Sequence, residues 1–293
     1  MSGQVRIGIS GWTYKPWRGV FYPKGLTQKK ELAYAASLFP SIEINGTFYG
    51  LQRPSSFIAW AEQTPGDFIF SVKASRFITH ILRLRDIEQP LANFFASGVL
   101  ALGAKLGPIL WQFPPNFKFD RDPLEEFFSL LPHNATAAAN LAEKHDRRLN
   151  GRAFTTPGEP RAVRHAMEIR HASFITPEFI KLLRRYNVAL VCADSVNWPR
   201  LMDVASDFLY LRLHGSEVLY TSGYTDQALD QWADRVATWA RGEEVSDGDH
   251  ASSTAATKRV SRDVYVYFDN DAKVFAPRDA RALASRVHKR LAP

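Results

Sequence analysis

Residues of catalytic type recur in this sequence two apart, inside runs that are otherwise apolar: Glu43 and Asn45, Lys73 and Ser75, Glu168 and Arg170, Arg212 and His214. Residues two apart share one face of a β-strand, so each pair projects to the same side. Ser10, Gln112, Asp194, Asp269 and Asp271 fall at comparable places late in their runs. Two carboxylates with separated ionisation could serve as general base and general acid, here Glu168 and Glu43. His214 could shuttle a proton, and Asp194 is a further catalytic candidate. Arg170 and Arg212 carry planar forks that match a carboxylate or phosphate. Lys73, Arg76, His80 and His171 extend the positive arc, and Asn45 and Gln112 would hydrogen-bond polar groups of a ligand. Aromatic residues crowd the same loops: Trp12, Tyr14, Trp17, Phe48, Tyr49, Phe77, Phe117, Trp198, Tyr220 and Tyr224. Such rings either stack on a ligand or pack loops onto the scaffold. The competing reading of the charges is mutual pairing, with Glu43, Glu168 and Asp194 neutralising Lys73, Arg170 and Arg212, because charges are buried only when paired or used.

The runs that carry these residues read as strands: Val5–Ile9, Ser41–Tyr49, Phe68–Ala74, Leu106–Phe113, Ala166–His171, Val188–Ala193, Phe208–His214 and Val264–Phe268. Most are near-continuous apolar or β-branched, as parallel strands covered on both faces are. Helix signals lie between them. Asp122-Pro123-Leu124-Glu125 and Thr176-Pro177-Glu178 are start signals. Leu229, Trp232, Ala233, Val236, Trp239 and Ala240 repeat with helical spacing over 226–241. Further helices are expected over 136–149 and from Pro277 onward. Only Ser195–Asp207 is too short for a full helix. Strand–helix alternation eight times over predicts an α/β fold, a single-domain (β/α)8 TIM barrel over 1–293 with a weak or missing helix after strand six. In that architecture the polar strand ends converge on one mouth. A doubly wound open sheet is the runner-up and would carry a Gly-rich first turn, which is absent. Asn150–Arg164 reads as a surface excursion, and the low-complexity Glu243–Asp263 as a mobile loop.

Composition narrows the classes. The 37 Lys+Arg against 30 Asp+Glu give +7, a moderate excess that permits an anionic partner without requiring nucleic acid. No run reaches the ~18 apolar residues of a membrane span, and Met1-Ser2-Gly3-Gln4-Val5-Arg6 has no secretory apolar region, so a cytoplasmic location is expected. The single cysteine, Cys192, excludes an internal disulfide and reads as a buried, inert thiol. Gly8-Ile9-Ser10-Gly11-Trp12 is not a nucleophile elbow, since its closing Gly is a Trp. No phosphate loop occurs. Glu43, Glu168, His171, Asp194, His214, Asp269 and Asp271 have donors that could take a divalent metal, but no tight ligand spacing accompanies them, and no cofactor is predicted.

Segments at the strand ends resemble the YecE-like family, a domain of unknown function. They are Ile7-Gly8-Ile9-Ser10-Gly11-Trp12-Thr13-Tyr14, Trp17-Arg18-Gly19-Val20-Phe21-Tyr22-Pro23, Glu43-Ile44-Asn45-Gly46-Thr47-Phe48-Tyr49 and Lys73-Ala74-Ser75-Arg76-Phe77-Ile78-Thr79-His80. Further along come Gly107-Pro108-Ile109-Leu110-Trp111-Gln112-Phe113-Pro114-Pro115, Glu168-Ile169-Arg170-His171, Ala193-Asp194-Ser195, Arg212-Leu213-His214-Gly215 and Tyr267-Phe268-Asp269-Asn270-Asp271. The resemblance implies a TIM barrel and no established activity. Its recurrent polar residues correspond to Glu43, Asn45, Lys73, Gln112, Glu168, Arg170, Asp194, Arg212, His214 and Asn270. The resulting expectation is an enzyme for an anionic small molecule, phosphate- or carboxylate-bearing. Glu43, Glu168, His214 and Asp194 would be its catalytic candidates. Asn45, Lys73, Arg76, Gln112, Arg170, Arg212, Asn270, Tyr14 and Tyr49 would be its binding candidates. Two alternatives stay open: a nucleic-acid-binding protein or nuclease, and a non-catalytic ligand sensor.

Overall fold

Strands apolar on both faces must be covered on both sides, and here the sheet closes on itself. A computed structural model describes residues 2–215, 222–271 and 273–292. Eight parallel strands close into a barrel in sequence order: β1 Val5–Ser10, β2 Ser41–Ile44, β3 Ile69–Lys73, β4 Leu106–Gln112, β5 His165–Glu168, β6 Ala189–Asp194, β7 Phe208–Leu213 and β8 Asp263–Phe268. β1 closes on β8 through the register Val5↔Val264 to Ile9↔Phe268. The inner faces form one buried cluster, Leu110, Ala166, Ala189, Val191, Ala193, Phe208, Tyr210, Tyr265 and Tyr267. The outer faces join the helices in a second, larger one. Gly8 belongs where it is because a Cβ there would lie 1.8 Å from the Ser41 carbonyl oxygen on the adjacent strand.

The helices cover the outer face: α1 Glu31–Ala36, α2 Gly46–Tyr49, α3 Pro54–Glu62, α4 Glu88–Ala96, α5 Arg121–Leu130, α6 Ala135–Ala142, α7 Pro177–Arg185, α8 Asp226–Ala240 and α9 Phe275–Leu291. Capping sets several starts. Thr176 accepts from the Glu178 amide, Thr225 from Ala228 and Asn134 from Ala137, each satisfying one orphan donor. The expected capping Asp122 instead lies inside the first turn of α5, after Asp120 at the cap position. α6 is shorter than the expected 136–149 helix and is followed by a separate 3-10 turn at Arg147–Leu149. No helix or strand occupies 195–207, as the sequence predicts. Residues 243–262 form neither helix nor strand. They lie against 201–206, where the Asp203 carboxylate accepts from the Ala251 and Ser252 amides and Leu201 bridges Asp249.

Two boundary differences shape the mouth. The expected strand Ser41–Tyr49 stops at Ile44, and Gly46–Tyr49 winds into a helical turn that swings Phe48 and Tyr49 over the barrel end. After β3 the chain enters a π-helical turn, Phe77–Ile81. Arg83, Leu84 and Asp86 follow with positive φ, a strained loop of the kind found beside sites.

Candidate functional site

The upper layer of the barrel interior is ionic. Alternation brings Ser10, Glu43, Glu168, Arg212 and Asp269 inward at the C-terminal strand ends. Arg212 is fully buried and meets three carboxylates. Its Nε and Nη2 donate to Glu43 at 3.1 and 2.9 Å, Nη1 to Glu168 at 2.8 Å and Nη2 to Asp269 at 2.7 Å. Further donors reach Glu43 and Glu168. Ser10 and Tyr210 donate to Glu43 at 2.6 Å each, and Arg170 Nε donates to Glu168 at 2.8 Å. His214 Nδ1 lies 3.2 Å from Asp269. Below this layer hydroxyl pairs lead into the core, Ser71 with Tyr210 and Ser41 with Tyr267, both at 2.7 Å.

Burial alone would push these groups toward their neutral forms, and their partners reverse it. Burial lowers Arg212, but Asp269, Glu43 and Glu168 outweigh it and hold the guanidinium charged. Burial raises Glu168, but Arg170 and Arg212 hold its carboxyl well below the usual carboxylate range. Asp269, likewise raised by burial, is brought down to about 2 by Arg212 and His214. A locked carboxylate of this kind is a poor proton donor.

Above the cluster the mouth opens into a cavity of about 620 Å³. Its lining includes Trp12, Tyr14, Asn45, Tyr49, Trp60, Lys73, Asp269 and Asp271, within the size range of small-molecule sites. Lys73 ends β3 and is partly exposed. Its ammonium lies 4.4 Å from the centroid of the Phe48 ring and, among the described residues, makes no hydrogen bond or ion pair. Burial, then the nearby Arg212 charge, lowers it to about 8. Across the cavity Asp271 is raised to about 6 by burial and by Asp269. The Asn45 Oδ1 is buried with no hydrogen-bond partner, an acceptor awaiting a donor. Gly11, at positive φ, turns the chain at the end of β1, and the Tyr14 hydroxyl, 2.8 Å from where a Cβ would sit, fills that space. Trp12 and Trp60 meet edge to face at 5.4 Å and form the apolar wall.

The candidates divide accordingly. Glu43, Glu168, Arg170, Arg212 and His214 meet in the ionic layer, and Tyr14, Asn45, Tyr49 and Lys73 line the cavity. Arg212 has no fork left for a ligand, which corrects its expected binding role. Arg170 directs Nε and Nη2 at one Glu168 oxygen and stacks 3.6 Å from the Trp198 ring centroid. Gln112 ends β4 beside Glu168 in the register, and its amide makes no hydrogen bond among the described residues. Arg76 is exposed at the adjacent loop. Burial, then Arg170, Lys73 and Arg76, push His80 down to about 4, so these cations converge there.

Two candidates do not join them. Asp194 faces the helical layer, opposite to Ala193. It accepts from Tyr224 at 2.9 Å and Trp232 at 3.2 Å and pairs Arg200 at 3.0 Å, which ties β6 to α8. Asn270 donates to Asp279 on α9 at 2.9 Å and to the Ser222 carbonyl, away from the cavity. Tyr220 lies outside the described residues.

Asp271 and Trp12, expected as a strand-end carboxylate and a loop aromatic, take their places in the cavity lining, and Trp60 is an addition. The inward alternation of Tyr265, Tyr267 and Asp269 is the signal that brings the β8 carboxylates to the mouth. Among the described residues no three His, Cys, Asp or Glu side chains group to hold a metal ion. In the ionic layer the carboxylate oxygens already accept from guanidinium and hydroxyl donors, and Arg212 at their centre would repel a cation, so these residues do not fit a divalent metal. No helix among the described residues is long and apolar enough to cross a membrane.

Similarity supports the same architecture. UPF0759 protein YunF of Bacillus subtilis strain 168 is 32% identical over 118 residues, 39% of this chain and 41% of that protein. UPF0759 protein YecE of Escherichia coli strain K12 is 30% identical over 113 residues, 39% of each chain. The matched stretch thus spans about two fifths of these curated relatives. A DUF72 family protein of Thermotoga maritima MSB8 superposes with TM-score 0.72 at 24% identity, covering 97% of this chain and 99% of that one. Another from Enterococcus faecalis V583 gives 0.69 at 16%, covering 97% and 96%. Residues 6–293 match the family described as protein of unknown function DUF72, and the chain belongs to that family.

Proposed function

We propose that this chain is an enzyme that binds an anionic small molecule, bearing a phosphate or carboxylate, in the mouth cavity and acts on it by acid–base chemistry. The observation that carries the reading is Lys73, whose ammonium opens into a 620 Å³ cavity without an ion pair while the carboxylates below it are engaged by Arg212 and Arg170. A desolvated cation without a counter-ion favours an incoming anion. Lys73 near 8 and Asp271 near 6 each lie close enough to neutral pH to give or take a proton during turnover. They replace Glu168 and Glu43 as the acid–base pair, and the ionic layer becomes the rigid floor beneath them. Asn45 and the Trp12–Trp60 wall would orient the ligand.

Thermal unfolding with inorganic phosphate, pyrophosphate or glyoxylate tests this, since a ligand that binds only the folded state raises the midpoint. Wild type is expected to gain stability with at least one of these anions and Lys73→Met with none. No gain in wild type with any of them would contradict the reading. Tight single-stranded DNA binding that falls steeply with salt and survives Lys73→Met would favour the nucleic-acid alternative.

A further inference from the structure

We infer that Lys73 is a covalent nucleophile: its Nζ forms an imine with the carbonyl carbon of an anionic aldehyde or ketone held in the mouth cavity. The inference rests on the reading of that cavity as the working site and narrows its substrate to carbonyl compounds.

Three features support it. First, the amine is placed for attack. It ends a barrel strand, lines the cavity and makes no hydrogen bond among the described residues, and the Phe48 ring centroid lies 4.4 Å from it. Lys105 shows the contrast. It too is lowered by burial, yet its Nζ donates to the Ala61 and Thr64 carbonyls and to the Thr64 hydroxyl, which leaves no free lone pair. Second, burial and the Arg212 charge raise the neutral-amine fraction of Lys73, the two devices that activate imine-forming lysines. Third, the cavity holds an acid and an acceptor. Asp271, raised to about 6, can deliver a proton, and the unpartnered Asn45 Oδ1 can accept from a hydroxyl.

The step balances. The Nζ lone pair forms the N–C bond as the carbonyl π pair moves to oxygen, and proton transfer from nitrogen to oxygen gives the carbinolamine. The Asp271 carboxyl then protonates the hydroxyl, which departs as water while the nitrogen lone pair forms C=N. The products are a protonated imine, water and the Asp271 carboxylate. The anionic group of the substrate would face the side where Arg76, Arg170 and Lys73 act together on His80.

The test is reductive trapping of the whole chain at pH 7 with glyoxylate and cyanoborohydride, read by peptide mass spectrometry, with uncharged glycolaldehyde in parallel. Lys73 is expected to acquire the N-carboxymethyl adduct on the order of 100-fold faster than the exposed ε-amines, because a far larger fraction of it is free base. Asp271→Asn is expected to slow that labelling about tenfold or more. Labelling of Lys73 no faster than that of surface lysines overturns the imine. If that happens while phosphate still stabilises both wild type and Lys73→Arg, the imine falls and the anion-binding reading stands. If Lys73 outpaces the other lysines equally with both aldehydes, the imine stands and the anionic-substrate reading falls.

Discussion

Two charged regions share one barrel mouth and are built on opposite terms. Around Arg212 the carboxylates of Glu43, Glu168 and Asp269, the second guanidinium of Arg170 and the hydroxyls of Ser10 and Tyr210 satisfy one another. Beside it, Lys73, Asp271 and Asn45 line open space, and among the described residues the Lys73 ammonium and the Asn45 Oδ1 lack hydrogen-bond partners. Both regions hold ions away from bulk water. In the first the desolvation cost is offset by partners inside the protein; in the second part of it is left standing. A fold keeps such a cost where a ligand or a reaction uses it. Charge type alone does not separate the two, since Lys73 and Arg212 are both cations on inward strand faces. Saturation does.

The largest expected effect tests the closed region. Arg212→Met leaves three carboxylates facing one another without their shared cation, and removal of one partner from a buried network costs on the order of 3–5 kcal/mol. Denaturant unfolding is expected to show that loss, or no folded protein; a loss below about 1 kcal/mol would dissolve the distinction. Next comes Asp194→Ala. It strips acceptors from Tyr224 and Trp232 and a partner from Arg200, with an expected loss of about 2 kcal/mol. Anion protection should survive in this variant, and its disappearance would return Asp194 to the site. Lys73→Met is expected to go the other way, with stability unchanged or raised by up to about 1 kcal/mol because a desolvated unpaired charge is removed.

The acid limb of stability sharpens the same contrast. Asp269 is depressed from 3.8 to about 2, and Glu168 is also depressed. The unfolded chain therefore binds protons at these sites first as pH falls. Their stabilisation is complete above about pH 5 and is lost as pH drops toward 2 and below. For Lys73 the slope has the same sign, but the shift is a cost at neutral pH rather than a gain. Its folded value is lowered from 10.5 to about 8, so the unfolded chain holds the extra proton between these values and stability gains from this group as pH rises from 8 to 10.5. Unfolding free energies of wild type and Lys73→Met across that interval check it; the difference between them should shift in favour of wild type with rising pH.

The barrel was legible because its strands are buried on both faces and read as apolar runs punctuated by helix starts such as Thr176-Pro177-Glu178. The short 195–207 connection was legible from its length. Less visible was the break inside Ser41–Tyr49. Glu43 and Asn45 alternate as strand residues do, but from Gly46 the chain winds into a turn that carries Phe48 against Lys73. Alternation also placed Glu43, Glu168 and Arg212 on inward faces. It could not say that Arg212 would be consumed by its neighbours, since saturation depends on the register of strands distant in sequence. Asp194 shows the converse limit. It follows Ala193, which faces inward, so its own side chain faces α8. Asp269 and Asp271 were visible as strand-end carboxylates, but their different fates rest on a single contact: Asp269 reaches Arg212 and Asp271 does not.

The ionisation of Lys73 tests the central claim most directly. Its reaction rate with an amine-acylating reagent, followed by peptide mass spectrometry from pH 6 to 11, traces the free-base fraction. The expected midpoint is near 8, set by burial and then by the Arg212 charge, and an exposed lysine in the same digest does not share it. A Lys73 midpoint at the ordinary 10.5 would contradict it, because the amine would then be an unremarkable cation and the open region would carry no distinct chemistry.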